Sequence, residues 1–253
     1  MRDRFINVIA SSLLRACLAA LLTVVVARPA ASQVTLDLLY DLRHTTDPAH
    51  NPDNFPSIEF KLFKALDFGS FLMKEEIDLD GPKGNASKIY TQLSQSIKLW
   101  SPATLLRLGY SGGLGLFNNG SGGFYLNNTY EVGAEHPFRW GPSFGTAFVS
   151  FRYTNAKKPS YDPMLGFYLG RGFFNYRISA ATDVEMWTIN RNHGDAGTET
   201  LSGKEFACLN EAELWFKIRD RISTGTFTRI SYNVYVASHK WFVYPTVGFK
   251  YEF

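Results

Sequence analysis

The sequence has two cysteines, four methionines, no large excess of charge of either sign and a single apolar run, Ala16 to Ala27. Each scarcity excludes something. That run falls short of the ~20 residues a membrane helix needs, and the mean hydropathy is −0.14, so a bundle of membrane helices is excluded. Disorder is excluded by the opposite feature. Apolar residues make up 45% of the 253 residues and aromatics 15%, enough to bury or to face lipid. No stretch repeats apolar residues at a helical period.

The net charge of +3 suggests an anionic partner until the N-terminus is read by itself. Arg2, Arg4 and Arg15 precede the apolar run, and Ala30-Ala31-Ser32 supplies small residues for cleavage. Residues 1–32 are therefore expected to be an export signal, with residues 33–253 as the exported body. Cys17 lies too early for a lipoprotein signal. Residues 1–32 hold four of the 26 basic and one of the 23 acidic residues, so the body carries 22 of each and is neutral. The argument for nucleic acid falls with the signal. Cys208 is left alone, without a disulfide or a cysteine metal site. An exported chain of this size without disulfides needs another brace, and a closed hydrogen-bonded barrel is one.

The body alternates apolar and polar residues at period two along nearly its whole length. Val34, Leu36, Leu38, Tyr40 and Leu42 oppose Thr35, Asp37, Asp41 and Arg43. Ile58, Phe60 and Leu62 oppose Ser57, Glu59 and Lys61. Ile89, Leu93 and Ile97 oppose Tyr90, Gln92, Ser94 and Ser96. Val243, Val247, Phe249, Tyr251 and Phe253 oppose Thr246, Gly248, Lys250 and Glu252. About twelve such segments fit the length at roughly ten residues each plus a connection. Two places fit poorly. Glu75 falls on the apolar face of residues 71–79, where a bulge would restore the pattern, and Arg229 lies in the weakly patterned stretch 222–234.

Connections at 64–69, 100–102, 136–142, 171–175 and 219–221 are short. Those at 43–54, 80–86, 113–122, 154–160 and 189–203 are mostly longer and rich in Gly, Asn and Asp. The connection at 237–240 is short where a long one is expected. Short turns at one end and long loops at the other are the layout of outer-membrane barrels. A lipocalin-type barrel shares the period with its faces reversed. Three features favour the membrane arrangement. Charges of both signs sit at mid-strand: Glu59, Lys61, Lys74, Glu76, Arg107, Glu131, Arg152, Asp183, Glu211 and Glu213. Aromatics gather at segment ends: Tyr40, Phe63, Phe68, Trp100, Tyr110, Phe138, Trp140, Tyr153, Phe173, Phe174 and Trp241. The chain ends on Phe253, a terminal aromatic of the kind read by outer-membrane barrel-assembly machinery. The expectation is an all-β transmembrane antiparallel up-and-down barrel of about 12 strands. It would sit in the outer membrane of a Gram-negative bacterium. A bore of that size is narrow and partly occluded, suited to one small polar solute.

Particular strings add a resemblance. Tyr40-Asp41-Leu42-Arg43-His44, Asn54-Phe55-Pro56, Asp67-Phe68-Gly69-Ser70-Phe71, Tyr110-Ser111-Gly112-Gly113-Leu114-Gly115, Asn192-His193-Gly194-Asp195, Val243-Tyr244-Pro245-Thr246 and Tyr251-Glu252-Phe253 span the mature length. Together they resemble an uncharacterised family of Gram-negative outer-membrane barrels, similar in layout to the Tsx-like nucleoside-specific channel-forming proteins. The resemblance implies a monomeric twelve-stranded barrel and passive uptake of nucleosides or similar solutes. It assigns no substrate residue here.

A nucleoside requires a ring surface for its base and hydrogen-bonding groups for its sugar. The expected lumen offers Tyr90, Phe148, Tyr168, Trp187, Trp215 and Tyr244 for stacking. It offers Asp37, Glu59, Arg107, Arg152, Arg177, Asp183, Glu185, Glu211 and Glu213 for polar contact. The structural alternative for any one of these charges is a brace across the lumen. Zero net charge favours a neutral solute. No cofactor and no metal are expected, and the protein is read as a non-enzyme. All five histidines lie in or beside connections, away from a lipid-facing serine. His193-Gly194-Asp195 is expected to be a loop turn. His44, His50, His193 and Asp195 have no spacing that argues for a metal. The glycine-rich stretch 113–123 opens no helix and is expected to be a surface loop, not a phosphate cradle. Lys157-Lys158 reads as a solvated pair. The alternatives to a channel are a non-transporting barrel that presents its loops and, behind it, a rim-site hydrolase.

Overall fold

In the computed structural model, residues 32–99, 103–116, 122–235 and 239–253 are described. Of the expected export signal, 1–32, residues 1–31 lie outside the described residues, and Ser32 is the first residue of the first strand. Twelve strands run in chain order: β1 (Ser32–Asp41), β2 (Phe55–Leu66), β3 (Gly69–Asp78), β4 (Lys88–Ile97), β5 (Leu105–Leu116), β6 (Gly123–Trp140), β7 (Ser143–Thr154), β8 (Ser160–Phe173), β9 (Ile178–Asn190), β10 (Lys204–Arg219), β11 (Ile222–Tyr232) and β12 (Trp241–Glu252). Each pairs antiparallel with its sequence neighbours, and β1 closes the ring on β12, from Thr35 opposite Glu252 to Asp41 opposite Thr246. Closure leaves no free edge and satisfies the backbone internally, which a lipid environment requires.

The period-two pattern becomes two walls. On β1, Thr35, Asp37, Leu39 and Asp41 are buried in the bore, while Leu38 and Tyr40 are exposed on the outside. Leu108, Val132, Val149, Phe151, Leu165, Leu214, Val243, Val247 and Phe249 continue that exposed apolar wall around the ring. Tyrosines in direct register form a row near the long-loop end, Tyr110 beside Tyr130, Tyr153 and Tyr161. Their ring centroids lie 5.3, 6.3 and 5.1 Å apart in turn. Trp140 and Phe174 are exposed at the short-turn end. Amphipathic rings at both ends match a lipid–water boundary.

Several expectations are corrected. The β2–β3 and β3–β4 registers run unbroken, so no bulge rescues Glu75. It keeps the outer-face parity of Met73 and Ile77, and Thr91 Oγ1 donates to its Oε2 at 2.5 Å. The register shifts lie elsewhere, in β5–β6 at Gly112/Gly113 and in β10–β11 at Lys217/Arg219. Glycine-rich residues 113–116 belong to β5, not to a loop. A Cβ at Gly113 would stand 2.1 Å from the Ile89 carbonyl oxygen, so a glycine is needed where β5 approaches β4. His136 lies inside β6, exposed and opposite Ala147, not in a connection. The β11–β12 connection spans residues 233–240, which removes the apparent exception among the long loops. The first long loop contains one turn of helix, α1 (Arg43–Thr46), that the residue pattern did not reveal.

Candidate functional site

Inward-facing positions of the strands assemble a charged bore. Away from its two mouths, six bases face inward: Lys61, Lys74, Arg107, Arg152, Arg229 and Lys250. Nine acids accompany them: Asp37, Glu59, Glu76, Glu131, Glu135, Asp183, Glu185, Glu211 and Glu213. Five of their ion pairs join strands that are not neighbours in the ring. Lys61 on β2 donates to Glu213 on β10 at 2.6 Å, and Lys250 on β12 donates to the other oxygen of Glu213 at 2.8 Å. Lys74 on β3 pairs with Glu211 on β10. Arg229 on β11 grips Glu76 on β3 with two 2.7 Å bonds and reaches Glu211 at 3.2 Å. β3 and β11 are four steps apart around the ring, so the Arg229–Glu76 contact is a chord of the barrel, while Arg229 and Glu211 face each other on neighbouring strands. Asp37 and Glu59 lie 3.5 and 2.7 Å from the Lys61 ammonium and are almost fully buried. Charges so placed are desolvated and persist only because each has an opposite neighbour.

Phe227 is the pillar of this cluster. It is fully buried with Leu39 and Trp215. Arg229, Lys61 and Lys74 lie 4.6, 5.1 and 5.8 Å from its ring centroid. A cation over an aromatic face gains from the ring quadrupole, most where water is excluded. The motif recurs through the bore. Arg107 covers Phe148 at 3.8 Å, Arg152 covers Trp187 at 4.3 Å, Lys250 covers Trp215 at 4.3 Å and Arg43 covers Tyr244 at 4.9 Å.

Above the cluster, toward the long loops, a cavity of about 1290 Å³ opens. Its floor includes Glu59, Lys74, Glu76, Asp183, Glu185, Glu211 and Arg229; its walls include Tyr90, Gln92, Arg152, Trp187 and Tyr235. His193, Asp195, Lys157 and Lys158 contribute from the loops. At its rim Arg43 donates from Nη2 to Asp41 at 2.7 Å. Burial alone would lower the Arg43 guanidinium, but the hydrogen bond and charge of Asp41 outweigh it and hold the group above its ordinary value.

The bore thus brings together Asp37, Glu59, Tyr90, Arg107, Phe148, Arg152, Tyr168, Asp183, Glu185, Trp187, Glu211, Glu213, Trp215 and Tyr244. Arg177 is a correction: it lies exposed in the β8–β9 turn, because β9 begins only at Ile178. The stacking surface is also reduced. Phe148, Trp187, Trp215 and Tyr244 are 7%, 7%, 3% and 1% exposed, and each carries one of the chain's own cations. They stabilise the wall and leave little face for a solute. The neutrality of residues 33–253 does not extend to the bore, where acids outnumber bases. Reasoning from pattern missed Arg229 as the hub. Three consecutive outward positions at the middle of β11 are Thr224, Thr226 and Thr228, whose hydroxyls reach backbone carbonyls and each other. A polar outer face erases the alternation that would have marked Arg229 as inward.

The loop histidines are placed separately. Asp195 Oδ1 accepts from Gly197 N at 3.1 Å and Thr198 Oγ1 at 3.0 Å, which makes residues 195–198 a capped turn. His44 Nδ1 donates to Asn51 O and His50 Nδ1 to Asp47 Oδ1. Among the described residues no group of three or more His, Cys, Asp or Glu side chains is placed to hold a metal ion.

The fold and bore define a class: a closed antiparallel barrel with an apolar outside and a charged inside, as outer-membrane barrels are built. Comparison with solved structures places it more closely. A structure described as the NanC porin in a rhombohedral crystal form matches 87% of this chain and all of its own, with a TM-score of 0.52 at 10% identity. LpxR from Salmonella typhimurium matches 88% of this chain and all of its own, with a TM-score of 0.49 at 10% identity. The likeness to the NanC porin shows the fold alone: this is a closed twelve-stranded barrel of the outer-membrane type. No family model matches the sequence. No curated protein matches it either.

Proposed function

We propose that the protein is an outer-membrane channel for passive diffusion of small polar solutes. In this reading residues 1–32 direct export, Phe253 marks the barrel for the assembly machinery and the barrel works as a monomer. The observation that carries the proposal is the cavity of about 1290 Å³ within the closed barrel, floored by charges and open toward the long loops. A concave polar chamber in the mouth of a barrel is where a small solute is held before it passes.

Nucleosides are the solute suggested by the resemblance. Their bases would stack on Tyr90 or Tyr235, which line the cavity. Asp183, Glu185 and Gln92 would take the sugar. A second reading rests on the near-complete burial of Asp37, Glu59, Arg229 and Phe227. If that cluster never parts, the barrel presents its vestibule and loops without transport. Planar-bilayer recording of the refolded protein, challenged with nucleosides, sugars and amino acids, separates the two. A channel gives discrete conductance steps that a permeant solute interrupts. A folded, heat-modifiable preparation without conductance refutes transport.

A further inference from the structure

The acids of the bore are not equally engaged. Asp37, Glu59, Glu76, Glu211 and Glu213 sit in the cross-lumen network, and Glu131 and Glu135 pair with Arg152 and Arg107. Asp183 and Glu185 have no base within ion-pairing distance among the described residues. They stand two positions apart on β9 with their side chains on the same inner face. Glu185 receives one 3.4 Å hydrogen bond from Gln92 Nε2, and the buried Oδ1 of Asp183 receives none.

The bases that would neutralise them are held elsewhere. Arg107 Nη1 is bound to Glu135 at 3.0 Å with its guanidinium 3.8 Å over Phe148. Arg152 lies 3.9 Å from Glu131 and 4.3 Å over Trp187. These two-point anchors fix the arginines against the wall. Two of the three excess acids of the bore thereby sit on one strand, and both carboxylates border the vestibule through which a solute enters.

We infer that Asp183 and Glu185 are the specificity-determining residues of the passage and make it select cations, so that small organic ammonium or guanidinium solutes pass ahead of anions of equal size. The inference rests on the channel reading. An unpaired carboxylate on the wall of the passage lowers the energy of a cation there and raises that of an anion, as acidic rings do in cation channels. The loop lysines Lys157 and Lys158 are exposed at the rim, where salt screens them.

The test is the reversal potential of the refolded full chain in a planar bilayer under a steep KCl gradient at mildly alkaline pH. The wild-type barrel should favour K⁺. The variant Asp183→Asn/Glu185→Gln should lose about thirtyfold in its K⁺/Cl⁻ permeability ratio, from two unit charges acting at roughly 8 Å through a water-like dielectric with opposite sign on the two ions. The exchange Asp183→Glu/Glu185→Asp should keep the preference, because it moves the charges without removing them. Conductance that favours Cl⁻ or neither ion, or a preference unchanged in the neutral variant, overturns this assignment alone. No conductance from folded protein overturns the channel reading itself and this assignment with it.

Discussion

Arg229→Met tests whether the bore is braced. Arg229 is 4% exposed, and its two 2.7 Å bonds are the ion pair that holds Glu76. Removing it leaves Glu76 without a base and takes a partner from Glu211 and Glu59, which keep Lys74 and Lys61. Breaking one side of a buried pair costs about 3–5 kcal/mol, because the surviving charge stays desolvated. Glu76 borders the vestibule and recovers some water, so the expected loss is near the lower end, about 3 kcal/mol. Methionine fills much of the volume, which keeps a cavity from confounding the result. The double variant Arg229→Met/Glu76→Met should recover part of the loss, since it leaves no orphaned charge on β3. Urea unfolding of vesicle-inserted protein, followed by tryptophan fluorescence and by heat-modifiable migration, measures both. A loss below about 1 kcal/mol for the single variant would place the pair with solvated surface bridges and refute the brace. A double variant less stable than the single would refute the pairing as its cause.

Three further outcomes follow from the same geometry. Releasing the chord between β2 and β10 with Lys61→Met/Glu213→Gln should raise single-channel conductance; an unchanged step would place the constriction elsewhere. Glu75→Leu should stabilise the barrel by about 1 kcal/mol, because a carboxylate on the lipid-facing wall is costly even when it accepts from Thr91. Destabilisation in the same urea titration would show that the Glu75–Thr91 pair meets a polar partner outside the barrel. Tyr130→Ala interrupts the outer tyrosine row between Tyr110 and Tyr153 and should cost about 1–2 kcal/mol through lost cross-strand ring contacts. A change within a few tenths would leave the row as boundary decoration without packing value.

Much of the fold was legible because it is a local property. Alternation at period two states which side chains share a wall, and twelve alternating segments separated by short and long connections state an up-and-down ring. Val34–Tyr40, Ile89–Ile97 and Val243–Tyr251 were readable one segment at a time, each face being decided within a few residues. Glu75 shows the limit: its misfit was legible, but the unbroken register left it on the outer wall with Thr91 as its partner. Arg229 shows the converse, a hub made invisible by threonines on the opposite face of its own strand.

What the sequence by itself determined is therefore the closed strand architecture, the sidedness of its walls and the charged character of the bore. What only the tertiary structure decided is how those charges are spent. Arg229 and Glu76 are 153 residues apart and meet because ring closure and strand stagger bring β3 and β11 to opposite ends of one chord. No local pattern encodes a chord. The same holds for the aromatic rings, which in composition look available to a solute and in the folded bore lie under arginines and lysines. It holds for net charge too. A census of residues 33–253 sums loops, outer wall and bore to zero, whereas closure sorts nine acids and six bases into the bore between its mouths and leaves Asp183 and Glu185 without a base within ion-pairing distance.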